Sequence, residues 1–154
     1  MATSWTGEWA DIIRYIIWPD PQMRSLMLIP QSANIIDFRD KYFIRSGYTS
    51  QPLINEDVRI VYSNINSYGL VPNVLRQNLS FDIYIKREKL YDATDDRLIE
   101  RTVLIAERLK HLLSMKDSPY IGGYHFVCVG QTDLGTSAVG YVRYNITFAY
   151  NRTT

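Results

Sequence analysis

The chain holds a single cysteine, Cys128, in 154 residues. No intramolecular disulfide can form, and a cysteine-based zinc centre lacks its other sulfur ligands. A surplus of charge is also missing: 17 Lys and Arg stand against 16 Asp and Glu. A general nucleic-acid binder usually carries an excess of basic residues. A disordered chain is poorer in apolar residues than the 46% found here. Long apolar runs are absent too. The stretch from Ile12 to Trp18 is interrupted by Arg14 and stopped by Pro19, well short of the roughly 18 residues of a membrane span. No basic region precedes an apolar core at the N-terminus, so a soluble protein made in a reducing compartment is expected. The acceptor-like strings at Asn78, Asn145 and Asn151 are then coincidental.

What is present in excess is tyrosine: 12 Tyr, beside 3 Trp and 5 Phe. Tyr joins a large apolar ring to a hydroxyl that needs a partner, which suits half-wet surfaces and interfaces. The length fits one domain, with residues 1–55 as an N-terminal helix and extended arm and 56–154 as the core.

Periodicity predicts the elements. Trp9, Ile12, Ile13, Ile16 and Ile17 recur at helical spacing over Thr6 to Trp18, and Trp18-Pro19-Asp20-Pro21 ends that helix. Residues 24–54 lack one clean period and read as a helical turn followed by a strand. Val58, Ile60 and Tyr62 alternate as a strand, and 64–78, with Gly69, Pro72 and four Asn, reads as a loop. In the next strand Leu79, Phe81, Ile83 and Ile85 share one face, while Ser80, Asp82, Tyr84 and Lys86 share the other. The stripe Leu98, Thr102, Ile105, Leu109 and Leu112, widened by Ile99, Val103, Ala106 and Leu113, predicts the main helix over about 95–115. Asp92, Thr94, Asp95 and Asp96 are its cap candidates. Tyr124 to Val129, apolar on both sides, reads as a central strand, and Gly130 to Ser137 as a polar loop. Val139 to Tyr150 alternates cleanly and is long enough to reach a neighbouring chain. The fold expected is α+β: a two-layer sandwich of a mostly antiparallel, four-stranded or larger sheet on one main helix.

No chemical signature accompanies this pattern. The sequence has no phosphate-binding glycine loop, no dinucleotide fingerprint, no paired-histidine zinc motif and no nucleophile elbow. Gly122-Gly123 reads as a tight turn, His111 as a charge complementing a helix C-terminus, and Cys128 as a small core residue. His125 and Cys128, three apart on a strand, face opposite ways. The Asp92, Asp95 and Asp96 cluster is explained by capping. No catalytic residue, metal site or cofactor is expected.

The second half does resemble a known group. The string Asn78-Leu79-Ser80-Phe81-Asp82-Ile83-Tyr84-Ile85 is followed by a helix carrying Arg97-Leu98-Ile99 and Ile105-Ala106-Glu107-Arg108-Leu109. A strand, a polar loop and Gly140-Tyr141-Val142-Arg143-Tyr144-Asn145-Ile146-Thr147-Phe148 complete it. Over residues 57–151 this order and texture resemble the tail terminators and related neck or tail-completion proteins of tailed bacteriophages. The resemblance implies a non-enzymatic virion protein, assembled in the host bacterial cytoplasm. Such proteins form rings, commonly hexameric, at the head–tail junction, where they cap the tail tube and join it to the neck. The implied partners are other copies of the chain, the tail tube protein and neck or connector proteins. DNA only passes through the channel, and no membrane is involved. Half of the tyrosines are expected in the core. Trp9, Tyr62, Tyr68, Tyr84, Tyr141 and Arg143 are the expected interface residues, with 63–78 and 130–138 as contact loops. Another neck, connector or stopper protein is the alternative, followed by a small ligand-binding α+β domain.

Overall fold

A computed structural model describes residues 13–45, 56–71, 74–92, 98–114, 125–136 and 140–153. Among these residues five strands form one sheet: β1 (Phe43–Arg45), β2 (Val58–Val71), β3 (Val74–Lys86), β4 (His125–Thr136) and β5 (Tyr141–Thr153). Their spatial order is β1-β2-β3-β5-β4. The short β1 runs parallel to β2, and every other pair is antiparallel. Two long hairpins, β2–β3 and β4–β5, are joined by β3 and β5, whose register runs without a shift from Val74↔Thr153 to Lys86↔Tyr141.

Strand alternation sends one set of side chains to the helices. Val58, Ile60 and Tyr62 of β2, Leu79, Phe81, Ile83 and Ile85 of β3, and Ile146, Phe148 and Tyr150 of β5 are all buried there. Among the described residues, five helical pieces cover this face. The described part of α1 spans 13–17 and buries Ile13, Ile16 and Ile17. Next come α2 (Pro21–Leu26), the single turn α3 (Ile35–Asp37) and a π-helical turn over Phe38–Tyr42. Last is α4 (Arg101–Leu113), which buries Thr102, Ile105, Ala106, Leu109, Leu112 and Leu113. The two-layer α+β sandwich is therefore present, with five strands in its sheet.

Aromatic rings tie the N-terminal pieces to the sheet. Trp18 lies 5.4 Å from Phe38, and Phe38 stacks on Phe43 at 5.4 Å. Phe43 contacts Tyr62 at 4.5 Å and Phe81 at 5.9 Å, and Phe81 meets Phe148 edge-on at 5.8 Å. Such pairs contribute about 0.5–1.5 kcal/mol each beyond the area they bury. Two arginines of α4 add directed bonds. Arg108 forks onto the Asp20 carboxylate at 2.9 and 2.5 Å, while Asp20 also accepts from the Met23 N–H and so caps α2. Arg101 donates to the Lys89 carbonyl at 2.9 Å and the Leu26 carbonyl at 3.2 Å.

Several expectations are corrected. The proline dipeptides end α1, but Asp20 caps and Pro21 starts a new helix, because proline fits the first helical turn. Residues 64–71 and 74–78 are strand rather than loop, in β2 and β3, and 72–73 lie outside the described residues. Asn is a poor strand former, yet Asn64 pairs with Leu79 and Asn78 with Ala149 in the ladder. Gly130 to Thr136 likewise belongs to β4, with register shifts between Cys128 and Gly130 and between Asp133 and Gly135. Gly135 (φ +71°) supplies the left-handed conformation that such a shift uses. β4 is an edge strand, and β5 is interior. The main helix begins at Arg101; Leu98 is 88% exposed and outside it, as is Ile99. Its N-cap is Glu100 rather than Asp92, and Thr94, Asp95 and Asp96 lie outside the described residues.

Asp20→Asn keeps the cap but removes the ion pair with Arg108. Burial alone would push the Asp20 carboxyl up, but the bonds from Arg108 and Met23 outweigh it and hold the carboxyl below its ordinary 3.8. The pair's contribution is thus complete above the unfolded value and fades as pH falls through the lower folded value. At pH 7 the variant should lose about 1–3 kcal/mol, and thermal melts should show the deficit shrinking below about pH 4. A deficit independent of pH would show that charge is not what Arg108 recognises.

Candidate assembly surface

The second face of the sheet points away from the helices. Arg59, Val61 and Ser63 of β2, Ser80, Asp82, Tyr84 and Lys86 of β3, and Tyr141, Arg143, Asn145, Thr147 and Ala149 of β5 alternate onto it. Register sets these residues in rows across three strands: Arg59–Tyr84–Arg143, Val61–Asp82–Asn145 and Ser63–Ser80–Thr147. The core cluster that includes the helices takes no residue from this face. Most of these side chains are half-buried.

The face is bound together by hydrogen bonds. Asn145 is the hub: its Nδ2 donates to Ser80 Oγ and Asp82 Oδ1, both at 2.7 Å, and its Oδ1 accepts from Thr147 Oγ1 at 2.9 Å. Toward the other end, the Tyr141 hydroxyl reaches past β3 to the Glu56 carbonyl at 3.0 Å. The side chain of Glu56 takes the guanidinium of Arg59 at 3.3 Å, and Arg59 also donates to the Lys41 carbonyl at 3.1 Å. Two donors in the Arg59–Tyr84–Arg143 row are left over. Arg59 Nη1 and Arg143 Nε are buried without a hydrogen-bond partner.

The chemistry available is recognition by rings, amides and guanidiniums. The titratable groups that shift keep their ordinary charge at neutral pH. Burial pushes the Tyr42 and Tyr144 hydroxyls up, the bond to Asp20 pushes Arg108 up, and the bond to Glu107 pushes Lys110 up. Among the described residues, no three His, Cys, Asp or Glu side chains gather to hold a metal ion. One cavity of about 630 Å³ lies beside α2, lined by Pro21, Arg24, Ser25, Leu28, Ile29, Pro30 and Gln31. It includes none of the residues expected from the sequence to form an interface.

The structure distributes those residues unevenly. Tyr84 and Arg143 are direct register partners on the half-buried second face. Tyr141 shares that face but is only 5% exposed, because its ring lies along the sheet to reach Glu56; it is a structural brace rather than an exposed contact. Tyr62 is corrected outright: it lies on the helix-covered face, stacked against Phe43. Tyr68 stands in β2 opposite Arg76, with its side chain outside the described residues, and Trp9 lies outside them altogether. The supposed contact loops 63–78 and 130–138 are largely strand. The Asn145 hub was missed. Alternation places Asn145 and Thr147 on one side of β5 and Ser80 and Asp82 on one side of β3, but only the β3–β5 pairing brings them together.

No protein-family model matches this chain, and no curated protein matches it.

Asn145→Ala removes the donor shared by Ser80 and Asp82 and should lower stability by about 1–3 kcal/mol. Tyr141→Phe should cost about 1 kcal/mol through loss of one hydrogen bond and leave oligomeric state unchanged. Urea unfolding followed by sedimentation checks both; a Tyr141→Phe variant that folds normally but changes oligomeric state would make Tyr141 a contact after all.

Proposed function

We propose that this chain is a virion structural protein, a tail terminator-like subunit. Copies of it form a ring at the head–tail junction of a tailed phage, cap the tail tube and join it to the neck. The observation that carries this reading is the second face of the sheet. The described helices of the core cluster all lie on the opposite face, and among the described residues this face presents Tyr, Arg and amide groups. Tyr and Arg are the residues that most often anchor interfaces. The near-neutral charge suits a channel that lets a duplex pass without gripping it. The resemblance over residues 57–151 supplies the particle context, and the order strand, helix, strand, strand on which it rests is present in the fold.

Tyr84→Ala combined with Arg143→Ala should change stability by less than about 1 kcal/mol, as expected for half-buried surface positions, yet lower assembly at least tenfold. A matched loss of stability and assembly would return both residues to a purely structural role. Electron microscopy of particles made without this protein tests the role itself. Filled heads beside tails of uncontrolled length are expected; tails of normal length with leaking heads would identify a stopper instead.

A further inference from the structure

β4 ends the sheet. It pairs with β5 on one side, and among the described residues no strand pairs its other side. Soluble proteins blunt such edges with short strands, Lys or Pro, because an open ladder invites another chain. The opposite edge, β1, is 3 residues long among the described residues. β4 is longer, with 12 residues, HFVCVGQTDLGT, and no Lys, Arg or Pro; its two register shifts, a further blunting device, fall after Cys128 and leave the first half regular. Val127 and Val129 are each 48% exposed on it, and Leu134 is 40% exposed.

A complementary edge lies across the same sheet. β1 reaches only Tyr62, while β2 runs on to Val71, so among the described residues Ser63 to Val71 has β3 alone beside it. That stretch, SNINSYGLV, carries no charged residue. Register places both open edges at the same end. His125–Cys128 of β4 face Phe148–Asn151 of β5, these face Arg76–Leu79 of β3, and these in turn face Asn64–Tyr68 of β2. Direction agrees as well. Three successive antiparallel pairings make β4 antiparallel to β2. A second copy set alongside in the same orientation therefore brings its β2 to β4 in the antiparallel sense, which continues the ladder.

We propose that the first half of β4 pairs with the far half of β2 of a second copy, head to tail, so that one sheet runs on from subunit to subunit. A two-fold β4–β4 contact would stop at a dimer, whereas this heterologous contact repeats and can close a ring. The inference rests on the self-assembly part of the reading above.

Sedimentation of Val127→Lys/Val129→Lys against concentration tests it. The wild type should form a discrete oligomer. The double variant should fall to the 17.9 kDa monomer with an unchanged melting curve, because both positions are solvent-facing. Ile36→Lys, at another exposed apolar position, should assemble like wild type. The partner strand is read by crosslinking in a Cys128→Ser background. Chains with Val127→Cys should link to chains carrying a cysteine at 65, 66 or 67. Efficient linking of Val127→Cys chains to one another would overturn β2 as the partner. An oligomer indifferent to the β4 substitutions would overturn the edge and leave self-assembly standing. A β4-dependent oligomer whose loss leaves tail length and head filling normal would keep the edge and remove the tail reading. A wild type that stays monomeric at all concentrations would overturn both.

Discussion

The antiparallel pairing of β3 with β5 is the constraint on which the rest of this fold depends. It is the seam between two hairpins, and its register is unbroken from Val74↔Thr153 to Lys86↔Tyr141. Because strand side chains alternate with period two, a slip of one residue would exchange the faces of one strand relative to the other. Two sets of contacts hold the register against such a slip. On the covered face, Phe81 meets Phe148 edge-on within the core. On the other face, Asn145 bonds Ser80 and Asp82 across the same seam. Apolar burial supplies most of the energy, and the amide hub adds direction.

The N-terminal pieces depend on that seam through rings and ions. The line Trp18, Phe38, Phe43, Phe81, Phe148 passes from the turn after α1 to the middle of the sheet. α2 and α3, of 6 and 3 residues, are too short to be stable as isolated helices, so their order comes from docking. Arg108 and Arg101 then orient α4 over them by recognising Asp20 and two backbone carbonyls. With the described helices on one face, the second face and the β4 edge are the surfaces on which the proposed contacts between chains are placed. The proposed ring uses surfaces of both kinds, the row around Tyr84 and Arg143 and the open ladder of β4.

Legibility followed how local each signal was. The alternation in Leu79 to Lys86 and in Val142 to Tyr150 placed each residue on its correct face, because a strand covered on one side carries that pattern in its own residues. The stripe of α4 named Thr102, Ile105, Leu109 and Leu112 as core, and all are buried. Its start was misplaced because Leu98 continues the spacing without being helical. Polar Asn and Gly made 64–78 and 130–137 look like loops, whereas ladder hydrogen bonds with neighbouring strands keep most of both stretches extended. β4 misled in a different way. Val127 and Val129 suggested burial on both faces, but the strand lies at the edge, where their apolar surface stays open.

The sequence by itself determined the α+β class, the two faces of β3 and β5, the main helix and the balance of charge, since each is written in nearby residues. Only the tertiary structure decided which strands adjoin and which lies at the edge. It alone placed Tyr62 in the core and Tyr141 flat on the sheet, and it alone gathered Ser80, Asp82 and Asn145. Those outcomes depend on pairing between segments as far as 85 residues apart, as in Tyr141 with Glu56. Strand periodicity says which way a side chain points; the partner strand decides what it meets.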